Sequence, residues 1–330
     1  MSLKNLAALL FIVLGALFGP ALRAEELNVH FKTTPRSELL RPFVDPTDLS
    51  LLITGTDGRP VEQGTVSIRL DAPRPGRFFS TDYPLVEGTV LSEMELPLWQ
   101  GRANWKQLFP IRGEYRLTVD VVSGDGTRAS KAFTFDVRES QKKWLALVAF
   151  SAGLFLLGFV AGRVFTGARA DTALAILGMT LLAGAAGVSA AQQRDASGTA
   201  VLEIEPATVG ETSGVRWRLA TDGVGNRREA TLTLTITQLE KQKVVFAVEK
   251  IAVPGEWSMK FHFPDGGGYR VAAVGNVPGL APVRNERAIA VTGVEPPASA
   301  MVPALAFFIV LIAAGLGVGR WTKRRSAGLI

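Results

Sequence analysis

A mainly β protein with membrane-crossing helices is the fold class this sequence predicts: two immunoglobulin-like antiparallel β-sandwiches and three transmembrane helices, laid out as a tandem duplication. Three observations lead there. Apolar stretches long enough to cross a bilayer alternate with two soluble stretches. The soluble stretches alternate apolar and polar residues with a period of two. One eight-residue frame, Phe-Pro-x-x-Gly-x-Tyr-Arg, stands at 109–116 and again at 263–270, 154 positions later.

The first element is a basic start at Lys4, an apolar run from Leu6 to Gly19 and Pro20-Ala-Leu-Arg-Ala24 before two glutamates. This reads as a secretory signal peptide over 1–24, cut after Ala24, with an uncleaved anchor as the competing reading. A periplasmic sandwich over 25–140 follows, with strand patterns at Val66, Ile68 and Leu70, at Tyr115, Leu117, Val119 and Val121, and at Phe133, Phe135 and Val137. Turn pairs such as Asp57-Gly58 and Asp125-Gly126 separate them. About 100 residues of short strands with regular turns form the pattern of an antiparallel sandwich.

A first span is expected over 144–163, where 19 uncharged residues lie between Lys143 and Arg163. A short cytoplasmic loop over 164–171 leads to a second span, 172–193, with 22 uncharged residues. The second sandwich occupies 197–295, with Leu232, Leu234 and Ile236 on one face of a strand, and a third span covers 298–319. Each span meets the roughly 20 residues that a hydrocarbon core of about 30 Å requires. Arg320, Lys323, Arg324 and Arg325 form a basic tail, 320–330. Parity and the positive-inside tendency put that tail in the cytoplasm of a bacterium and both sandwiches in the periplasm, although Lys142 and Lys143 then lie outside.

Laid over each other, the halves match Trp105 with Trp257, the repeated frames, and Gly158–Arg163 with Gly315–Arg320, which makes a unit of about 165 residues in two copies. Each sandwich is expected to own its core. In the frame, Pro110 and Pro264 mark the loop before a strand. Gly113 and Gly267 permit a backbone angle that other residues resist, and Tyr115 and Tyr269 begin a buried strand with the hydroxyl bonded back to a turn.

The phrases GEYRLTVDVVSGDG and FHFPDGGGYRVAAV resemble the final hairpin of the YtkA-like and FixH-like envelope proteins, immunoglobulin-like sandwiches tethered to the bacterial inner membrane. The resemblance covers the last third of each sandwich and implies copper handling or oxidase maturation where metal ligands are present. The layout of sandwich, helical pair and sandwich also resembles the B subunit of the membrane-bound methane and ammonia monooxygenases, without matched ligand residues.

The residue inventory narrows the chemistry. The chain has no cysteine, so disulfides, thiolate nucleophiles and cysteine-based metal sites are excluded. Its two histidines, His30 and His262, have no nucleophile elbow around them, and no catalytic residues are expected. Copper has one candidate pair, Met259 and His262, whose spacing points them to opposite faces of an extended strand. No other cofactor is expected. The formal charge of +6 sits largely beside the apolar segments, so nucleic acid is not an expected partner.

Association carries more signal. Gly158-x-x-x-Gly162 and Gly315-x-x-x-Gly319 place small residues on one helix face, where a second helix can approach closely. Between Leu70 and Trp105 the first half spends 35 positions where the second, from Ile236 to Trp257, spends 21. The excess lies in residues 73–99, where Phe78, Phe79, Tyr83 and Trp99 are candidate partner contacts or, alternatively, a lid on their own sandwich. The reading is a non-catalytic inner-membrane accessory or assembly subunit, in contact with the lipid bilayer and with membrane-protein partners. A copper-handling factor is the alternative.

Overall fold

The computed structural model describes residues 27–44, 46–76, 79–164, 200–219 and 229–327. The expected signal peptide, the 172–193 span and most of the 164–171 loop lie outside the described residues. The protein is mostly β, built on two antiparallel sheets, with two long apolar helices.

The first half contributes β1 (Asn28–Thr34), β2 (Thr47–Thr54), β3 (Gly64–Asp71), β4 (Val90–Pro97), β5 (Arg102–Gln107), β6 (Gly113–Ser123), β7 (Arg128–Val137) and helix α1 (Gln141–Val164). The second half contributes β8 (Ala200–Ile204), β9 (Thr212–Leu219), β10 (Ala230–Gln238), β11 (Lys243–Val253), β12 (Glu256–His262), β13 (Gly267–Asn276), β14 (Val283–Val291) and helix α2 (Ala298–Ala327). Alternation sets the faces. In β10, Ala230, Leu232, Leu234 and Ile236 are buried while the intervening threonines take the other face, where their β-branched side chains suit a pleated surface.

The expectation of two separate cores is corrected by the sheet order. One sheet runs β1-β2-β5-β11-β10-β13-β14 and the other β7-β6-β3-β4-β12-β9-β8, so both sheets cross from one half into the other. Each half has the same order, three strands facing four, and the three-stranded side of one half continues the four-stranded side of the other. The physical cause is edge pairing. Strand β5 pairs with β11 (Trp105 opposite Val248, Lys106 opposite Ala247, Gln107 opposite Phe246), and β4 with β12 (Met94 opposite Met259, Glu93 opposite Lys260, Ser92 opposite Phe261). These inner edges would otherwise expose unpaired backbone groups. One hydrophobic core runs through both halves as a result.

Adding 154 to any residue of the first half in this seam gives its counterpart in the second, so the two seam ladders are related by a local two-fold operation. The same register corrects one sequence match: Trp105, opposite Leu49, takes the place of Met259, opposite Val215, and not of Trp257. The two tryptophans are two positions apart, which keeps them on one face.

The repeated frame builds the same corner twice. Gly113 and Gly267 have φ of +127° and +116°, a region in which a Cβ is strained. The Phe109 ring meets Tyr115 at 4.8 Å and 62°, and Phe263 meets Tyr269 at 5.0 Å and 69°. Tyr115 Oη donates to Ile111 O at 2.7 Å and accepts from Ile111 N at 3.2 Å, while Tyr269 Oη donates to Asp265 O at 3.0 Å. Burial pushes both phenols well above their ordinary value, so they act as neutral donors. Tyr115→Phe is expected to cost about 1–3 kcal/mol, because it strands buried backbone groups, and to cost more than Tyr269→Phe, which loses one bond instead of two. Urea midpoints of the two variants check the ranking.

Candidate interaction surfaces

Helices α1 and α2 are both long and apolar enough to cross a membrane. They run parallel, side by side, and the four glycines singled out in the sequence lie at their contact. Gly158 faces the backbone of Ile312 and Gly162 that of Leu316; Gly315 faces Phe155 and Gly319 faces Phe159. A Cβ at any of the four would fall well inside contact distance of a carbonyl oxygen on the other helix. An offset of 157 carries one pair of contacts onto the other, so the local two-fold of the seam recurs between the helices. These glycine faces are therefore occupied within the chain. The basic segment Arg320 to Arg325 continues as the last turns of α2.

Of the four aromatic candidates of the long β3–β4 connection and its flank, the three among the described residues do not form one patch. Val90 at the start of β4 pairs with Asp71, at the sheet end that leads into α1, whereas Pro97 pairs with Thr65 at the opposite end. Trp99, just beyond Pro97, lies far from the helices and is 73% exposed. Phe79 is at the helix end, where its ring meets Phe307 of α2 edge-on at 5.5 Å, and it is still 43% exposed. Phe78 lies outside the described residues.

Tyr83 is engaged internally. It stacks on Phe43 at 4.9 Å, and its hydroxyl accepts from Lys241 Nζ at 3.1 Å. Lys241, in the β10–β11 turn of the other half, also lies over the Phe43 ring at 4.3 Å and bonds Asp265 at 3.0 Å. Burial alone would lower the Lys241 ammonium pKa; the bonds to Tyr83 and Asp265 outweigh it and raise it. Lys243, the first residue of β11, donates to Phe43 O at 2.7 Å and also to Val44 O. Sequence reasoning missed this clasp between halves. Its one legible signal is the run Val244-Val-Phe-Ala-Val248, whose unbroken burial from Val245 to Val248 departs from one-sided alternation.

The copper pair is separated. Met259 and Phe261 share the inner face of β12, and the neighbouring His262 points to the opposite side, although it too is buried. Neither ring nitrogen of His262 has a hydrogen-bond partner among the described residues, and His30 is exposed on β1. No group of three His, Asp or Glu side chains that could hold a metal ion occurs among the described residues.

Burial lowers the His262 pKa from 6.5 to about 4. The unfolded chain therefore binds the proton first, so the fold loses stability as pH drops from about 6.5 toward 4, by about 3 kcal/mol in full. Urea midpoints at pH 7 and pH 4.5 should diverge more for the natural protein than for His262→Phe. Equal acid sensitivity of the two would refute the burial argument.

No family model matches the chain, and no curated protein matches it. Among solved structures it is similar to the soluble domain of PmoD from a Methylocystis species, at 15% identity over 33% of this chain and 90% of that one, with a TM-score of 0.23. PorU of Porphyromonas gingivalis is similar at 11% identity over 82% of this chain, with a TM-score of 0.26. So is α2-macroglobulin of E. coli, at 11% identity over 83% and a TM-score of 0.26. The chain spans 24% of the PorU chain and 17% of the macroglobulin chain.

Proposed function

We propose that this protein is a non-catalytic accessory or assembly subunit of a bacterial inner-membrane complex, holding a fused pair of periplasmic sandwiches rigidly above the bilayer. The observation that carries this reading is the double lock: two shared sheets join the halves, and four glycines join the helices beneath them. A binding platform needs such a fixed presentation. Because α1 and α2 are parallel, the chain leaves α1 at one side of the membrane and must regain the other before β8, a return for which 172–193 has the length and apolarity. The basic end of α2 favours a cytoplasmic C-terminus. The shared strand order and the recurring two-fold offset favour a tandem duplication of an immunoglobulin-like unit. YtkA-like kinship remains part of this proposal.

The partner surface we assign is Trp99 at the membrane-distal tip, with Phe79 as a second contact near the helices. Purification of the full chain in gentle detergent through a C-terminal tag should bring down a defined membrane-protein partner, with copper well below one per chain. Trp99→Ser should leave stability within about 0.5 kcal/mol of the natural protein, as exposed sites do, yet reduce partner recovery severalfold. Unchanged recovery would remove Trp99 from the surface. A lone protein carrying one copper per chain would overturn the accessory reading in favour of copper handling.

A further inference from the structure

At the helix end of the first half, a cleft of about 1170 Å³ opens between the β3–β4 connection, the outer ends of β6 and β7, and the first turn of α1. Its lining includes Arg74, Arg112, Glu114, Arg116, Asp136 and Arg138, together with Trp144. Trp144 is also the first apolar residue of α1, and its ring lies 5.9 Å from the Arg112 guanidinium. Tryptophan in that position belongs at the boundary between water and lipid.

The second half has the same backbone without the charges. The strand pair β6–β7 maps onto β13–β14 in register, Gly113 opposite Val137 becoming Gly267 opposite Val291. At the places of Arg112, Glu114, Asp136, Arg138 and Glu139 stand Gly266, Gly268, Ala290, Thr292 and Gly293. The sandwich corner thus forms without these five charges, so the fold does not require them.

Their arrangement is also poorly compensated. Glu114 and Asp136 are directly opposite each other on neighbouring strands, an unfavourable like-charge pairing, and neither makes an ion pair among the described residues. Arg116 and Arg138 make none either, whereas Arg270, which replaces Arg116, pairs with Glu286 at 2.9 Å. Arg112 alone is held, by Glu139 at 3.6 Å. Three guanidinium groups without an ion pair among the described residues, Arg74, Arg116 and Arg138, and two such carboxylates in one cleft at the membrane boundary fit a ligand that carries both signs.

We propose that this cleft binds a phospholipid headgroup bearing a phosphate and a primary ammonium, with the phosphate on Arg116 and Arg138 and the ammonium between Glu114 and Asp136. The inference rests on the membrane reading above and is independent of any protein partner. The test is native mass spectrometry of the full detergent-solubilised chain with phosphatidylethanolamine, with phosphatidylglycerol, and with glycerophosphoethanolamine as a soluble competitor. Phosphatidylethanolamine should be retained about tenfold better than phosphatidylglycerol. The pair Glu114→Gln and Asp136→Asn should abolish that preference, and Arg116→Gln with Arg138→Gln should weaken both lipids about tenfold. All four sites are exposed, so the thermal midpoint should hold. Retention that survives equal glycerophosphoethanolamine assigns the cleft to membrane lipid; displacement assigns it to a soluble phospho-amine of the same chemistry. Equal retention of the two lipids by the natural protein, or variants without effect, would overturn the proposal, whether or not a partner co-purifies.

Discussion

Phe261→Ala is expected to destabilise the whole protein by about 3–5 kcal/mol, the cost of emptying a large aromatic site in a packed core. Phe261 is 1% exposed and sits on β12, opposite Ser92 across the seam and Ser213 on the other side. Its ring meets Phe246 of the facing sheet at 5.6 Å and Phe263 at 5.0 Å, so it touches both the seam and the Phe-Tyr corner of the second half. Because both sheets run through both halves, the loss should reach residues of the first half as well. Pulse proteolysis across a urea series can follow fragments from each half separately. A single transition, moved to lower urea for both halves together, is expected. Two transitions, with only the second half shifted, would mean that the seam does not couple the halves.

Gly162→Leu or Gly319→Leu should cost as much or more, through a different mechanism. At both positions the atom that a side chain would strike is a backbone carbonyl of the opposite helix, which cannot rotate away as a side chain can. The helices would have to separate, and that forfeits the close backbone approach which small residues permit. Overpacking of well-packed sites already costs about 1–3 kcal/mol, so a loss beyond about 3 kcal/mol is expected here. Gly153 and Gly317 provide the controls, since each lies in an otherwise similar apolar helix with open space where a Cβ would go. Thermal midpoints in detergent should fall sharply for the first two variants and stay put for Gly153→Leu and Gly317→Leu. Four equal shifts would leave the contact without special weight.

The strands, the corners and the glycine faces were legible in the sequence because each has a local signal. Alternation in Thr231–Ile236, the Phe-Pro-x-x-Gly-x-Tyr-Arg frame and the four-residue glycine spacing each encode their geometry within a dozen residues. The joining of the halves was not. Edge pairing uses backbone groups that every residue carries, and the inward faces of β4 and β12 alternate in the same way whether their edges meet a partner or water. The two-position slip between Trp105 and Trp257 went unseen for a related reason: a shift of two preserves the face. The long connection of the first half is legible by its length alone, but its aromatics divide between uses, with Tyr83 inside the clasp, Phe79 against α2 and Trp99 on the surface. The charged cleft beneath it was invisible to motif reading, because its residues come from three separate segments that only the fold brings together.

The seam also has a history in time. Its ladders join Trp105–Gln107 to Phe246–Val248 and Ser92–Met94 to Met259–Phe261, partners separated in the chain by more than a hundred residues. At the usual pace of synthesis, about 5–20 residues per second, the ribosome needs on the order of ten seconds to deliver the second set after the first. Through that interval β4 and β5 are adhesive edges with no mate. A neighbouring nascent copy offers the same edges, so the wait for the second half is the interval in which two chains could clasp each other instead of themselves.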